Sequence, residues 1–556
     1  MRVNLVSIEE GLIAIGFRKL ASIVKSIHSD TEINYLPFEN NYSPIRYLMG
    51  ERGFQRQKLL EKDIIREIAE LLARADIIGF SSMSHQADLT RRVIQEVKLL
   101  NPHAFVIWGG IHPIVYPEDA ILSADAICTG EGEYSIEEFL FLFKEGKDFT
   151  KTHNFWFNQD GKIKRNKFRP LNTPKDMNAF PFPNYGEDEK IYKRGKGFVP
   201  ISVSDYLKFD GLGYKTIWSI GCPYKCTYCS NTTFIDNDSN YRKLRFPSVR
   251  YIVDEIKNVL RIHPHISTVV FIDDSFMAIP KATLREFSDL WKKEVNIPFC
   301  VMGVIPSFLQ QEKMEILVEA GMNRLRMGIQ SGSNRILKFY ERPYKPGLIQ
   351  KTTSTIAKFS DYIIPPAYDF IVDNPIETRQ DIVDSLELIY SLKRPFTLNV
   401  FSLIVIPNTE MERRIKEMCL HFDEAKSHIT YNAPTMANIT FFLLAILKLP
   451  RWLFDKLLIR AKPFTEKQIE YPILLLLVRA LYLVKRTVDH VRVLDFSIIP
   501  GRFWWYLWKL GIIKLWQKKI IQRKLQRFSF QLEKEKSAKT VNTRYLQSSS
   551  KSMNLQ

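Results

Sequence analysis

Cysteine is scarce in this chain. Its 556 residues carry six: Cys128, Cys222, Cys226, Cys229, Cys300 and Cys419. Three cluster and three are scattered, which is no disulfide framework and fits a reducing compartment. Long unbroken apolar runs are also lacking. The stretches at 441–449, 452–459, 472–484 and 503–515 each fall short of the ~20 residues a spanning helix needs. Lys or Arg bounds or interrupts every one of them. No transmembrane segment is expected. Nor do the first residues read as an export signal, because Glu9 and Glu10 stand where a signal peptide is apolar. These absences lead to the expectation of a cytoplasmic protein.

Acidic residues are depleted in one region only. Residues 431–556 hold 23 Lys and Arg against 7 Asp and Glu, so +16 of the net charge of +18 lies there. The first 430 residues are nearly neutral, with 56 basic against 54 acidic. A basic tail fits either an anionic membrane surface or nucleic acid, and the neutral body ranks nucleic acid low. Hydrophobic residues make up 45% and aromatic residues 12% of the chain, enough to bury large cores. The length allows about two to four domains.

Against that background the run Gly221-Cys222-Pro223-Tyr224-Lys225-Cys226-Thr227-Tyr228-Cys229 stands out. Its spacing is C-x3-C-x2-C, with no fourth cysteine nearby. A closed zinc site wants four ligands, and an electron-transfer iron–sulfur cluster usually wants four thiolates. Three thiolates on a [4Fe-4S] cubane leave one iron open, which points to chemistry at the metal. A zinc knuckle completed by a distant histidine, or three ordinary thiols, is the alternative.

The run resembles the signature of the radical S-adenosylmethionine enzymes, including the aromatic Tyr228 before the last cysteine. The resemblance implies that Cys222, Cys226 and Cys229 hold the cluster. It implies that S-adenosylmethionine binds the open iron and is cleaved to a 5′-deoxyadenosyl radical. An external one-electron reductant of the flavodoxin or ferredoxin type would supply the electron.

Residues 1–145 alternate apolar strands with helical patterns. Strands are predicted at 2–7, 33–37, 76–81, 104–109 and 126–129, and helices at 11–27, 63–74 and 89–100. Such alternation reads as a parallel, doubly wound, Rossmann-like sheet. Its ligand loops should follow the strand ends: Ser81-Ser82-Met83-Ser84-His85, Gly109-Gly110-Ile111-His112-Pro113 and Gly130-Glu131-Gly132-Glu133. On the residues alone these are tight turns or a small-molecule site. Their order before the cysteines looks like the cobalamin-binding domain of one large radical subfamily. That resemblance places Ser81, Ser82, Gly109, Gly110 and Gly130 along the nucleotide tail of cobalamin. The D-x-H-x-x-G motif that gives other cobalamin proteins a lower cobalt ligand is absent, and His85 and His112 are expected to be structural.

Residues 146–205 read as an irregular linker rich in Asn, Pro, Lys and Gly. Six βα-type strands are then expected over 206–425, at 216–219, 268–272, 299–303, 324–328, 368–372 and 397–406. Six suit a partial (β/α)6 barrel of the TIM type, with functional groups at the C-terminal strand ends. Ser248 is a plausible N-cap for a helix over 249–262. By resemblance, Asp273 and Asp274 contact the methionine end of S-adenosylmethionine. Gln330, Ser331 and Gly332 match a ribose-contacting element in which Glu is commoner, and a Gln carbonyl still accepts a hydroxyl hydrogen bond. Asp373 and Ile376 stand where the family's next element has glycines, which puts that contact in doubt.

Residues 426–536 form a basic region rich in tryptophan, with Trp452, Trp504, Trp505, Trp508 and Trp516. It reads either as a helical cap on the barrel or as a peripheral membrane contact through 431–530 at the inner face of the membrane. Residues 537–556 read as a disordered tail. The resemblance implies methyl transfer to an unreactive carbon of a small or lipid-like substrate. The alternatives are an oxidative ring cyclase like the magnesium-protoporphyrin ester cyclases, and a non-catalytic cluster and corrinoid sensor.

Overall fold

A computed structural model describes residues 1–9, 11–37, 62–186, 188–420, 432–492 and 502–516. The predicted tail at 537–556 and the basic run beyond Trp516 lie outside them. Two sheets organise the described chain.

The first sheet has nine strands: β1 (Val3–Ile8), β2 (Thr31–Tyr35), β3 (Ile77–Ser82), β4 (Phe105–Gly109), β5 (Ala126–Cys128), β6 (Phe155–Gln159), β7 (Lys162–Arg165), β8 (Glu189–Lys193) and β9 (Gly197–Pro200). Their spatial order is β7-β6-β5-β4-β3-β1-β2-β8-β9. The centre is parallel, with β1 between β2 and β3. Every residue of β1 is buried, as a strand covered by helices on both faces requires.

The reading of 146–205 as irregular is corrected here. That segment supplies four strands. β6 pairs antiparallel with β5, and β7 with β6. β8 pairs parallel with β2, and β9 turns back along it. Both pairs sit at sheet edges, where half-exposed Lys- and Asn-rich strands are tolerated and help prevent edge pairing. This obscured the apolar pattern that reveals a central strand.

A buried polar knot fastens β8 beneath the first helix (Ile15–Ile27). Arg18 donates to Glu189 at 2.6 Å and to the Asn184 carbonyl at 2.8 Å. Tyr35 and Tyr206 hydroxyls donate to the same carboxylate at 2.6 and 2.7 Å. A fully buried ion pair is tolerable only with its remaining hydrogen-bonding capacity satisfied.

The second sheet is all parallel and in sequence order: β10 (Gly213–Thr216), β11 (Thr268–Phe271), β12 (Phe299–Val304), β13 (Met322–Gln330), β14 (Ala367–Val372) and β15 (Thr397–Ser402). All six predicted strands are present. β10 lies three residues before its predicted span of 216–219 and meets it only at Thr216, because the Trp218 and Ser219 amides leave the ladder and donate to Asp273 at 3.2 and 2.6 Å. Ser248 caps Val249–Ile262 as expected, its hydroxyl accepting from the Tyr251 amide.

Alternation along the strands sorts their two faces. Leu325, Met327, Tyr368, Phe370, Leu398 and Val400 enter the hydrophobic core. Arg324, Arg326 and Gly328 therefore share the inner face of β13; the ladder slips between Gly328 and Gln330, and the Gln330 amide folds back over Gly328 onto that face. The helix Met436–Ile446 packs against β15 and against Arg379–Ser391, and Pro472–Arg492 packs on it in turn.

Candidate active site

The cysteine loop leaves β10 and is pinned from several sides. Gly221 has a φ of +109°, and a side chain there would meet the Tyr241 and Lys243 carbonyls at 2.8 and 2.6 Å; only glycine fits. The Thr227 amide donates to the Tyr340 carbonyl at 3.1 Å, and the Met411 amide to the Thr227 carbonyl at 3.0 Å. Thr232 Oγ1 donates to the Cys226 carbonyl at 3.0 Å.

All three thiols are free, with Cys222 and Cys226 buried and Cys229 half-buried. Burial pushes the Cys222 thiol up to about 11 and the Cys229 thiol to about 12, and Asp274 adds to both. Thiolates therefore form here only with a cation to compensate them. Among the described residues no three His, Cys, Asp or Glu side chains converge on a single metal ion. The zinc-knuckle alternative has no site among them. Three thiolates on a cubane bind three different irons and need no common focus.

The end of β11 faces this loop. Gly303 lets β12 approach it closely, since a side chain there would overlap the Asp273 carbonyl. The two aspartates have separate roles. Asp273 is turned back into the chain, accepting from Trp218 N, Ser219 N and, at 2.5 Å, Ser219 Oγ. Burial still raises it to about 7. Asp274 is the partner that acts electrostatically on Cys222 and Cys229. Asp274 is itself exposed; desolvation by the groups around its carboxyl raises it, and a hydrogen bond from Asn231 opposes this.

The end of β13 separates its residues in the same way. Gln330 adopts a φ of +76°, an uncommon conformation for a non-glycine residue and one often found at functional sites. Its amide lies over Gly328, where a side chain would meet Gln330 Nε2 at 2.4 Å. Ser331 and Gly332 instead bind the helix Arg379–Ser391. Ser331 Oγ lies 3.2 Å from Ser385 Oγ, and the Gly332 amide donates to Ser385 Oγ at 2.8 Å. A side chain on Gly332 would meet that helix's backbone at 2.5 Å. Gln330 is thus the member of this trio on the barrel's inner face.

Sequence reasoning missed Arg342. This buried guanidinium donates to Cys226 Sγ at 3.6 Å, the Gly328 carbonyl at 3.2 Å and Tyr344 Oη at 2.5 Å. Nothing in the residues around it signals this, because Cys226 is distant in sequence. The inner face also carries Arg326. Its Nε lies 2.8 and 2.7 Å from the two oxygens of Asp369, which also accepts from Asn399 at 2.8 Å. The guanidinium sits 5.0 Å over the Phe401 ring.

Asp373, which stands where the resembled motif has glycine, adopts the glycine-like φ of +54°. It accepts from Ser402 Oγ at 2.6 Å, Ala433 N at 3.2 Å and Asn438 Nδ2 at 2.8 Å. The substitution ties the barrel mouth to the C-terminal helices.

In the first sheet, Ser81, Ser82, Gly109, Gly110 and Gly130 all lie at C-terminal strand ends or in the loops that follow. Ser82 Oγ accepts from Trp108 Nε1 at 2.9 Å. Gly110 is required by its neighbours, since a side chain would meet Ser82 backbone atoms at 2.8 Å, and Gly130 abuts Asn154. Gly109 has no such neighbour closer than the Phe80 carbonyl at 3.8 Å, so its bare backbone is open to a ligand. The Gln86 amide, Ser84 Oγ and His112 Nδ1 are buried without a partner among the described residues. These features fit a polar ligand at the strand ends. The His112 ring is held by its neighbours: Nε2 lies 2.9 Å from Asp119 Oδ2, the ring lies 5.0 Å from that of Trp108 at 34°, and burial lowers its pKa. His85 is the exposed residue of the turn 84–86.

Residues 216–389 match the Radical SAM superfamily, and residues 39–140 match the B12 binding domain. The chain carries both domains of the cobalamin-binding radical S-adenosylmethionine enzymes. It is 24% identical over 330 residues to an uncharacterized methyltransferase of Pyrococcus horikoshii, covering 58% of this chain and 66% of that one. It is 26% identical over 344 residues to cytidylyl-2-hydroxyethylphosphonate methyltransferase of Streptomyces wedmorensis, covering 57% and 61%. The matched stretches thus span about two thirds or less of these relatives. The fold matches OxsB, a cobalamin-dependent S-adenosylmethionine radical enzyme solved with aqua-cobalamin and S-adenosylmethionine bound. The TM-score is 0.58 at 14% identity, covering 97% of this chain and 80% of that one.

Proposed function

We propose that this protein is a cobalamin-dependent radical S-adenosylmethionine methyltransferase acting on an unreactive carbon of a small or lipid-like molecule. The observation that carries the reading is the meeting of three thiols, Asp274 and Gln330 at one barrel mouth, in a chain that also has a B12 binding domain. Two relatives named as methyltransferases support the reaction class.

Cys222, Cys226 and Cys229 would hold a [4Fe-4S] cluster, and Gly109 with its neighbouring loops the corrinoid. When bound, these groups supply the electron that cleaves S-adenosylmethionine to a carbon radical and the methyl group to be transferred. The chain's own residues orient the reactants. Asp274 accepts from the amino group of S-adenosylmethionine, and the Gln330 carbonyl accepts from its ribose. Arg342 compensates thiolate charge at Cys226. Arg326, steadied by Asp369 and Asn399, gives the inner face a polar contact for substrate. The electron comes from an external one-electron reductant. Peripheral contact with a membrane through residues 431–530 belongs to the same reading.

The test is anaerobic reconstitution with iron, sulfide and hydroxocobalamin, followed by assay with methyl-labelled S-adenosylmethionine. About four irons and one cobalt per chain are expected. Full iron retention in Cys226→Ala would overturn the ligand assignment, and four irons without cobalt would remove cobalamin from the scheme. Deoxyadenosine formed without a methylated product would favour ring closure.

A further inference from the structure

We infer that the outward face of the helix Pro472–Arg492 docks on an anionic phospholipid bilayer, lying along the surface without crossing it. This deepens the membrane contact in the reading above, and it stands whatever the cofactors prove to be.

The helix is apolar on two opposite sides. Its inner side is occupied: Leu475, Val478 and Tyr482 are buried, the Tyr482 ring lies 5.5 Å from Phe442, and the Leu398 amide donates to Tyr482 Oη at 3.2 Å. Its outer side carries Ile473, Leu477, Leu481, Val484 and Val488. These five are each 56–70% exposed. At 3.6 residues per turn they fall within an arc of about 80°. A surface helix with a single core normally shows polar residues there, and an apolar outer stripe marks a second surface to be met.

Three observations select the occupant. First, no helix among the described residues is long and apolar enough to cross a membrane, and this one carries Arg479, Lys485, Arg486, Asp489 and Arg492. It can lie in an interface but not span one. Secondly, charge disfavours a second copy of the chain, because the described residues 432–492 and 502–516 hold 13 Lys and Arg against 4 Asp and Glu, and two such surfaces would repel. The same charge favours an anionic surface, with each basic residue near it adding attraction. Thirdly, the helix Arg451–Ile459, which like this one packs on Met436–Ile446, exposes Trp452 with Lys456 Nζ 5.3 Å over its ring, the residue pairing of a membrane-interface anchor.

The experiment is co-sedimentation of the full chain with vesicles of phosphatidylcholine alone or mixed with phosphatidylglycerol. The chain should pellet with the mixed vesicles, release as salt rises, and stay in solution with phosphatidylcholine alone. The triple variant Leu477→Ser/Leu481→Ser/Val484→Ser should lose about tenfold or more in partitioning, with an unchanged circular dichroism spectrum. Leu99→Ser, an equally exposed aliphatic on the first domain, should bind as the unmodified chain does. Equal partitioning of the triple variant would overturn the proposal. So would a dimer in light scattering that the triple variant dissolves, in a chain that ignores vesicles.

Discussion

Arg245 and Glu131 face each other across the two sheets in a two-pronged ion pair, with Nη2–Oε1 at 2.7 Å and Nη1–Oε2 at 3.3 Å. Arg245 also donates to the Asn172 carbonyl at 2.7 Å. Glu131 belongs to the loop after β5, and Arg245 to the segment that bridges back to Ile220 beside the cysteines. Both side chains are largely buried. Glu131→Ala should therefore destabilise the fold by about 3 kcal/mol, because it strands a desolvated guanidinium. Adding Arg245→Ala should cost much less than it does alone. Urea unfolding of the four proteins tests this, and additive losses would show that the two residues are not coupled.

Arg342 places a fixed positive charge against Cys226. Its removal should favour the more oxidised, less negative state of a bound cluster. Arg342→Gln should lower the reduction potential by an amount on the order of 50–100 mV, while Arg342→Lys should keep most of it. Potentiometric titration followed by electron paramagnetic resonance reads this directly. An unchanged potential in the Gln variant would leave Arg342 with a packing role.

Asp373→Gly restores the resembled motif and removes three hydrogen bonds to Ser402, Ala433 and Asn438. A loss of about 2 kcal/mol is expected, felt mainly in the C-terminal helices. Amide exchange over 432–446 should accelerate while that in β11 stays constant. Uniform acceleration throughout the chain would contradict a local tether.

His265 is buried beside His263 and Trp508, and burial lowers its pKa from 6.5 to about 4. The folded state then binds fewer protons than the unfolded state between those values. Its contribution is fully present above pH 6.5 and is lost as the pH falls toward 4. His265→Phe should flatten that acid limb of the stability curve, as thermal unfolding across the window would show.

The central strands were legible because they are buried on both sides and read as unbroken apolar runs. β6 to β9 were not, since edge strands such as Lys162–Arg165 are half-exposed and charged. The signal that would have found β6 and β7 was Asp160-Gly161 between them. Both residues have positive φ, +50° and +86°, as a two-residue hairpin turn demands. The cysteine spacing was legible because the three thiols are local in sequence. The division of labour within Asp273-Asp274 and Gln330-Ser331-Gly332 was not, because it depends on partners far along the chain: Ser219 for one and Ser385 for the other.

The Gly130–Glu133 loop has an effect on how the halves of the molecule communicate. Glu131 holds the barrel segment through Arg245, and its backbone carbonyl accepts from Asn154 Nδ2 at 2.6 Å, just beside Gly130. A ligand settling on this loop would find it most often in the conformation that also grips Arg245. The same short loop is thus held from both sides, by Asn154 and by Arg245, so a displacement at this strand end of the first sheet would strain the ion pair that ties the second sheet to it.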